Sequence, residues 1–248
     1  MKKFFVGTIL FFVLFFNTSS ILAEKLTKWL PGKSDQIGPI RTKELALANK
    51  EPVLRKSQLL DVPLLNQMDQ PQLKNGCEVT SLAMILNYNG VTVTKNELAN
   101  MIKTVPLIDG NNKKGNPNIG FVGDMVNGPG LSVYNGPIFD LAKKFAGKKA
   151  VNLTNSPFVD LLKKVSKGYP VWVITTNEFE PGAKFQKWDT LQGTIYITYS
   201  GHSAVITGYD ENYIYVNDPY GFKNRKVEIE SFINSWEEMG KQAIVIEK

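Results

Sequence analysis

The pattern of apolar and polar positions predicts a long buried helix that begins close to Cys77. Apolar residues after this position follow the 3.6-residue period of a helix. They are Val79, Leu82, Ala83 and Leu86, with Met84 and Ile85 widening the same face. Asn75 is a suitable N-cap residue, Gly76 allows a tight turn, and Asn89-Gly90 supplies a stop. We therefore expect this helix to be buried on most of its sides.

The remaining elements predict an α+β fold. Thr94, with Glu97 three residues later, forms a capping box for a helix over 95–102. Proline and glycine mark three more helices, over 137–146 with Pro137 at the first position, 156–167 and 229–239. Runs of β-branched and aromatic residues predict strands over 150–153, 169–175, 194–199, 203–209, 213–217 and 243–246. Helices come first and mostly antiparallel strands follow, which is typical of α+β proteins.

Two stretches lack a regular period. Residues 104–136 are dense in Gly, Asn and Pro, and residues 177–189 are polar, so the second stretch is predicted to be a loop. An irregular stretch as long as the first is usually functional or disordered. The aromatic and apolar residues embedded in it favour an ordered wall.

Residues 1–23 predict a secretory signal peptide. A charged start at Lys2-Lys3 and an apolar run over 4–16 are followed by a small residue, Ala23, that suits cleavage. The alternative is an uncleaved N-terminal membrane anchor, although the run is short for a full span. Residues 24–57 predict an extension or spacer, with removal as a pro-segment a further hypothesis, and 58–248 the main domain. We expect a secreted protein, extracellular or associated with the cell surface, without stable membrane insertion after cleavage.

The charge does not indicate a nucleic-acid partner. The formal net charge is +6 and charged residues make up 21% of the chain, which is ordinary for a globular protein. The lysines are scattered, and there is no arginine-rich run and no RNA-binding signature.

Cys77 is the only cysteine in the 248 residues, so no internal disulfide can form. A thiol in the first turn of a helix lies near the positive end of the helix dipole and near unpaired backbone N–H groups. Both favour the thiolate, and the N–H groups can also bind an oxyanion. The alternative is that Cys77 is a small apolar core residue, as many free cysteines are.

His202, the only histidine, lies just before an apolar strand, and Asp218 ends the next strand. With a three-residue loop, Tyr209 pairs with Tyr213, and Asp218 is then a diagonal neighbour of His202 on one face. Such neighbours are about 7–8 Å apart, within side-chain reach. A two-residue loop would change the parity and separate them. Taken singly, each residue has an alternative interpretation. His202 is then a surface or core histidine without a functional role, and Asp218 is a turn former before Pro219.

Together, Cys77, His202 and Asp218 match a nucleophile, a base and a group that orients the base. Other chemistries fit less well. One histidine and one cysteine make a poor zinc site, so we expect no metal. There is no Gly-x-Ser-x-Gly elbow, phosphate-binding loop or dinucleotide fingerprint, so we expect no cofactor.

Several short blocks carry a resemblance to a known family. They are Leu60-Asp61-Val62-Pro63 through Gln67, Asn75 through Met84, Gly201-His202-Ser203 and Asn217-Asp218-Pro219. These blocks resemble the secreted, single-domain branch of the double-glycine (bacteriocin-processing) peptidases, which are papain-like cysteine peptidases. The resemblance covers residues 58–248. It implies a papain-like fold in which an N-terminal helical part, carrying the nucleophile helix, packs on a C-terminal antiparallel sheet.

The resemblance implies a role for each matching residue. Cys77 matches the nucleophile, His202 the general base, Asp218 the orienting carboxylate and Gln67 a donor to the oxyanion. Two nearby glutamines are alternatives for the last role: Gln70 and Gln72. Transporter-linked members have Asp-Cys-Gly at the nucleophile, where this chain has Gly-Cys-Glu and no fused transporter, which leaves cleavage after double glycine open.

The walls of the implied cleft are expected at 115–136 and 177–192. Phe121, Tyr134 and Trp188 lie in these stretches and are candidates for contact with the substrate. The alternative is that these aromatic rings anchor the loops.

Three functions fit this scaffold. The first is a secreted cysteine peptidase acting, as a monomer, on peptides or proteins. The second uses the same acyl chemistry on a cell-wall peptide, as an amidase or acyltransferase. The third is a non-catalytic binding module, which the complete set of Cys77, Gln67, His202 and Asp218 disfavours.

Overall fold

The computed structural model describes residues 54–248, so the predicted signal peptide and the extension up to residue 53 lie outside the described residues. The helices are α1 (Cys77–Tyr88), α2 (Lys95–Met101), α3 (Asn135–Ala146), α4 (Phe158–Ser166) and α5 (Ile229–Glu238). The strands are β1 (Gln58–Leu59), β2 (Thr104–Val105), β3 (Phe121–Val122), β4 (Ala150–Asn152), β5 (Val171–Thr176), β6 (Gln186–Thr190), β7 (Gly193–Ile197), β8 (Gly201–Tyr209), β9 (Tyr213–Asp218), β10 (Phe222–Glu228) and β11 (Ala243–Ile246). In this part of the chain, no helix combines the length and the apolar content that a bilayer crossing requires.

Seven strands form the main sheet, in the order β10-β9-β8-β5-β11-β4, and β1 also pairs with β8. Every pairing in this sheet is antiparallel. The central strands β5 and β11 are buried along their whole length, since α1 and other helices pack against them. The α+β architecture with an antiparallel sheet is confirmed.

Helix α1 is the buried helix that the apolar pattern predicts. Residues 77–86 are all buried, and the helix packs against β8, β5, α2 and α3. The indole N–H of Trp172, on β5, donates to the Glu78 carbonyl at 3.0 Å. This bond fixes the first turn of the helix to the sheet.

The start of α1 differs from the expectation in its cap. Gly76, not Asn75, is the N-cap residue, and no side chain caps the helix. The Asn75 amide donates instead to the Asp124 carbonyl at 3.2 Å. A side chain at Gly76 would lie 2.5 Å from the Cβ of Leu73, so glycine is required by close approach.

The other helix starts follow the predicted signals closely. The capping box of α2 is confirmed, because the Thr94 hydroxyl accepts from the Glu97 N–H at 3.1 Å and the Glu97 carboxylate accepts from the Thr94 N–H at 2.7 Å. Helix α3 begins two residues earlier than predicted, which puts Pro137 at its third position. N–H groups in the first turn have no partner inside the helix, so proline is tolerated there as well.

Besides the two-residue strands β1, β2 and β3, two longer strands are missing from the sequence prediction. The stretch predicted to be a polar loop contains β6, which pairs with β7 in a hairpin. Trp188 on β6 packs with Val122 and Ile197 in a small hydrophobic core. The second missed strand, β10, lies at the edge of the main sheet and buries only Val227. Both strands carry one or two apolar side chains among charged ones, so their period-two pattern is weak.

The turn between β8 and β9 is shorter than predicted. The Asp210 N–H donates to the Tyr213 carbonyl at 2.9 Å, which leaves a two-residue loop, and Tyr209 pairs with Ile214. By itself this turn would place the side chains of His202 and Asp218 on opposite faces of the sheet.

A β-bulge at Thr207 restores the predicted pairing. The register shifts by one residue there, so that Val205 pairs with Asn217 beyond the bulge. This is the register expected from a three-residue loop. The bulge therefore returns His202 and Asp218 to the same face.

Gly208, next to the bulge, offers a test of this packing. A Cβ at this position would lie 2.4 Å from the Gln58 carbonyl oxygen and 3.0 Å from the Cα of Leu59. Because backbone cannot move aside cheaply, we expect Gly208→Ala to displace β1 and to lower the free energy of unfolding by about 1–3 kcal/mol. Urea unfolding measures this loss.

Gly201→Ala is the matched control on the same strand. The nearest atom to its Cβ is the terminal methyl of Met239 at 3.3 Å, the end of a flexible side chain. We expect a smaller loss of stability than for Gly208→Ala. Equal losses in the two variants would contradict the proposed backbone clash.

Candidate active site

His202 and Asp218 form the centre of the site. His202 is the second residue of β8, and Asp218 is the last residue of β9. The Nε2 atom of the ring lies 2.9 Å from Asp218 Oδ1, and the two side chains are 2% and 1% exposed. The structure thus brings together the pair that the strand register predicts. Because Nε2 faces the carboxylate, Nδ1 is the ring nitrogen left for another partner.

Two aromatic rings restrict the His202 ring. The Tyr220 ring stacks on it, with 5.1 Å between centroids and 10° between planes. Phe179 meets it edge-on at 5.9 Å. Phe179 is completely buried whereas Tyr220 is half exposed, so Tyr220 forms the solvent side of the site.

Both carboxylate oxygens of Asp218 have donors. Oδ1 accepts from the Tyr220 N–H at 3.0 Å, and Oδ2 accepts from the Arg225 guanidinium at 3.2 Å. Burial alone would raise the pKa of Asp218, but the hydrogen bond and charge of His202, with these two donors, outweigh it and lower the pKa from 3.8. The carboxylate is therefore ionised at neutral pH.

The Cys77 thiol lies at the first residue of α1, beside the strand that carries His202. Its side chain is buried, and the backbone N–H of Ser203 is directed at its sulfur. Burial, followed by the charge of Glu78, raises the pKa of the thiol well above 9.0, and the N–H groups of Ser203 and Cys77 offset only part of this. The expected preference of a helix start for the thiolate is thus outweighed, because burial penalises the charged form.

Glu78 is a buried acid at the site that the sequence analysis does not single out. Oε1 accepts from the Ser132 hydroxyl at 2.5 Å and from the Val133 N–H at 3.2 Å, which ties α1 to the Gly-rich stretch. The Cys77 thiol hydrogen-bonds the same carboxyl, and Oε2 has no nitrogen or oxygen donor within residues 54–248. Burial raises the pKa of Glu78 above 4.5 despite the hydrogen bond from Ser132. A glutamate in a helix predicted to be buried on most sides is the signal that points to it.

Gln67 is buried beside the turn that follows β9. Its backbone N–H donates to the Pro219 carbonyl at 2.7 Å. Its side-chain nitrogen donates to the carbonyls of Leu73 at 3.2 Å and Lys74 at 3.0 Å, just before α1. The two alternative glutamines are less enclosed: Gln70 is exposed and Gln72 is half-buried. Gln67 is therefore the glutamine that the fold holds between the nucleophile helix and the end of β9.

The three predicted cleft aromatics are packed inside the protein to different degrees. Phe121 is completely buried and Trp188 is 4% exposed, which favours the anchoring alternative for both rings. Tyr134 is half-buried, and burial, followed by the charge of Glu78, raises its pKa to about 12. A more exposed ring in the same region is Tyr199, which meets Trp188 edge-on.

The imidazole thus contacts an ionised carboxylate, and the Cys77 thiol lies against the backbone of Ser203, the residue that follows His202 on β8. This is the set of groups needed for nucleophilic catalysis through an acyl intermediate. Within residues 54–248, His, Cys, Asp and Glu side chains form no group of three that could hold a metal ion.

The fold is that of the C39-like peptidases. The crystal structure of a protein from Bacillus anthracis, provisionally described as a C39-like peptidase, matches with a TM-score of 0.75 and 43% sequence identity. The match covers 78% of this chain and 98% of that chain.

Sequence comparison gives the family. The uncharacterized protein YvpB of Bacillus subtilis (strain 168) is 55% identical over 203 residues, which are 82% of this chain and 81% of that protein. The profile of the Peptidase_C39 like family matches residues 59–244. The chain therefore belongs to the Peptidase_C39 like family.

Glu78 makes stability depend on pH. Since its pKa is raised in the folded protein, the folded state binds the proton more tightly than the unfolded chain. Its contribution is complete below the ordinary value of 4.5 and is lost as the pH rises through the folded pKa. Glu78→Gln stays neutral, so we expect the stability of the wild type relative to Glu78→Gln to fall as the pH rises above 4.5, measured by urea unfolding.

Glu97→Gln is the control of opposite sign. Bonds from the Thr94 N–H and hydroxyl lower the pKa of Glu97, so its contribution is present at high pH and is lost as the pH falls through that lowered pKa. The wild type should therefore gain stability relative to Glu97→Gln as the pH rises. A flat or rising difference for Glu78→Gln would contradict our account of the buried carboxyl.

Proposed function

We propose that this protein is a secreted cysteine peptidase that hydrolyses peptide bonds through an acyl-enzyme. The observation that carries the proposal is the buried contact of 2.9 Å between His202 Nε2 and Asp218 Oδ1, next to Cys77. A nucleophile, a base and a group that orients the base are the combination used for nucleophilic acyl transfer. Membership of the Peptidase_C39 like family supports the same chemistry.

The proposed base is His202. Cys77 needs a proton acceptor, because burial raises the pKa of its thiol. Asp218 binds the hydrogen on Nε2, so Nδ1 carries the lone pair that accepts the thiol proton. The ionised carboxylate then stabilises the imidazolium that forms.

The proposed reaction has two stages. In the first, the Cys77 sulfur attacks the carbonyl carbon of the peptide bond, the oxygen takes up the negative charge, and His202 holds the thiol proton. The C–N bond then breaks, and His202 transfers that proton to the leaving amine. In the second stage, His202 takes a proton from water, the resulting hydroxide attacks the thioester, and the carboxylic acid leaves as the thiol is restored.

Two groups are proposed as donors to the oxyanion. One is the backbone N–H of Cys77, which lies at the positive end of α1. The other is the side-chain amide of Gln67, which is held just before α1 by the carbonyls of Leu73 and Lys74. These two carbonyls use both hydrogens of the amide nitrogen, so donation to the oxyanion requires one hydrogen to turn from its carbonyl or to be shared with it.

The finer assignment follows the sequence blocks around Gln67, Cys77 and His202. They support the secreted, single-domain branch of the double-glycine (bacteriocin-processing) peptidases. Export rests on residues 1–23. We propose a monomer that needs no cofactor and acts on peptides or proteins outside the cell. Since Gly76-Cys77-Glu78 differs from the Asp-Cys-Gly of the transporter-linked members, we do not extend the proposal to cleavage after double glycine.

Alkylation of Cys77 tests the proposed base. Cys77 is the only cysteine, so iodoacetamide labels a single site. We expect His202→Ala to slow labelling at pH 7 by about 100-fold or more, because the imidazole that accepts the proton of this buried thiol is then absent. Mass spectrometry at timed intervals measures the rate.

Labelling of the same variants in denaturant is the control, and there the rates should be equal. Peptide hydrolysis completes the test, since wild type should cleave members of a peptide library while Cys77→Ala and His202→Ala should not. Equal labelling of native wild type and native His202→Ala, without cleavage by either, would refute the proposed function.

The oxyanion role of Gln67 has its own test. We expect Gln67→Ala to lower kcat/KM by about 100-fold or more, mainly through kcat, because the amide acts on the charge of the transition state. Gln70→Ala is the matched control, since Gln70 is exposed in the same loop, and it should stay near the wild-type value. If the two variants lose activity equally, Gln67 is not the donor.

A further inference from the structure

Arg225 is a charged group at the buried pair that has no role so far. Its Nη1 lies 3.2 Å from Asp218 Oδ2, the oxygen that does not face His202. The carboxylate is therefore bonded by the imidazole on one side and by the guanidinium on the other. Arg225 lies on β10 and pairs with Val216 of β9, two residues before Asp218. Because side chains alternate between the two faces of a strand, Arg225 and Asp218 lie on the same face.

The same guanidinium packs on a ring that contacts His202. Its central carbon lies 4.9 Å from the centroid of Phe179, and this ring meets the His202 ring edge-on. Phe179 has a φ of 60°, which is uncommon for a residue other than glycine. Residues with such backbone angles cluster at functional sites. Glu178, beside it, lies 3.9 Å from Arg225 Nη2. Arg225 thus joins β10 to the strained turn after β5.

Most titratable groups that face His202 carry or can acquire negative charge. Asp218 contacts it from β9 and Tyr220 stacks on it from the following turn, and the charges of Cys77 and Glu78, from α1, act on Tyr220. Glu178 faces the guanidinium from the turn after β5, and its side chain is 73% exposed. Each negative charge stabilises imidazolium. An imidazole held too firmly in its protonated form cannot accept the thiol proton.

We propose that Arg225 is a positioning residue that acts through Asp218. Its guanidinium fixes the carboxylate by Oδ2 and offsets part of its charge, so that Asp218 orients His202 while the imidazole stays able to accept the proton of Cys77. The inference rests on the proposed role of His202 as the base. A neutral amide in place of the Asp218 carboxylate would orient the His202 ring without adding charge. The Asp218–Arg225 pair approaches the same charge balance and keeps two acceptor oxygens.

NMR titration of His202 tests this directly. His202 is the only histidine, so the C–H signals of its ring report protonation without a substrate. We expect Arg225→Met to move the titration midpoint to higher pH by about half a pH unit or more, because the full charge of Asp218 then stabilises imidazolium. Partial exposure of the Arg225 side chain, 35%, limits the shift through solvent screening. Arg225→Lys retains the charge and should stay near the wild-type midpoint.

Lys226→Met is the matched control on β10. It removes the same charge one residue away, where the Lys226 ammonium lies 3.8 Å from the Tyr213 ring centroid. It should leave the His202 midpoint unchanged. Arg225→Gln, with the same expectation as Arg225→Met, serves if the methionine variant does not fold. An unchanged or lowered midpoint in Arg225→Met, an equal shift in Lys226→Met, or an equal shift in Arg225→Lys would each overturn the inference.

The NMR result is independent of the proposed peptidase activity. If the wild type hydrolyses peptides, the acidic limb of its kcat/KM profile should move to higher pH in Arg225→Met together with the His202 midpoint, because the base must be unprotonated to accept the thiol proton. If the wild type does not hydrolyse peptides but the midpoint moves only when the charge at Arg225 is removed, the proposed function fails and the coupling of Arg225 to His202 stands.

Discussion

His202 and Asp218 meet because β8 contains one residue more than β9 along their shared edge. The bulge at Thr207 absorbs that residue, and the Thr207 carbonyl accepts from the Leu60 N–H at 2.8 Å, so the N-terminal segment packs at the same point. That segment continues to Gln67, whose N–H bonds the Pro219 carbonyl. One irregularity in one strand pairing therefore sets the relation between the imidazole, the carboxylate and the glutamine.

Burial is the second constraint, because it places ionisable groups where charge is costly. It raises the pKa of Cys77 and of Glu78, whereas the hydrogen bonds of Asp218 keep its carboxylate ionised against the same penalty. A site with one ionised acid, one neutral thiol and one imidazole can move a proton without creating an unpaired buried charge. The guanidinium of Arg225 completes that balance from the partly exposed side.

The Gly-rich stretch, residues 104–136, is held at two points, one at Val122 and one at Ser132 and Val133. Ser132 and Val133 bind Glu78 at the start of α1, and Val122 packs with Trp188 from the β6–β7 hairpin. Helix α1 and the β6–β7 hairpin are thus both connected to this stretch, the helix through Glu78 and the hairpin through Trp188. Substitutions at Glu78 are expected to disturb the wall as well as the nucleophile helix.

The sequence by itself determined the elements whose signal is local and strong. The buried helix after Cys77, the capping box at Thr94 and the central strands follow from apolar period and cap chemistry. The pair His202 and Asp218 is predicted from a three-residue loop that the structure does not have, and the bulge at Thr207 supplies the register instead. Only the tertiary structure decided what depends on distant partners. Glu78, Phe179 and Arg225 are brought to the site by contacts with other elements, and β6 and β10 form because neighbouring strands pair with them. A short apolar or charged segment has no local period strong enough to specify such contacts, since their stability comes from burial and pairing across the fold.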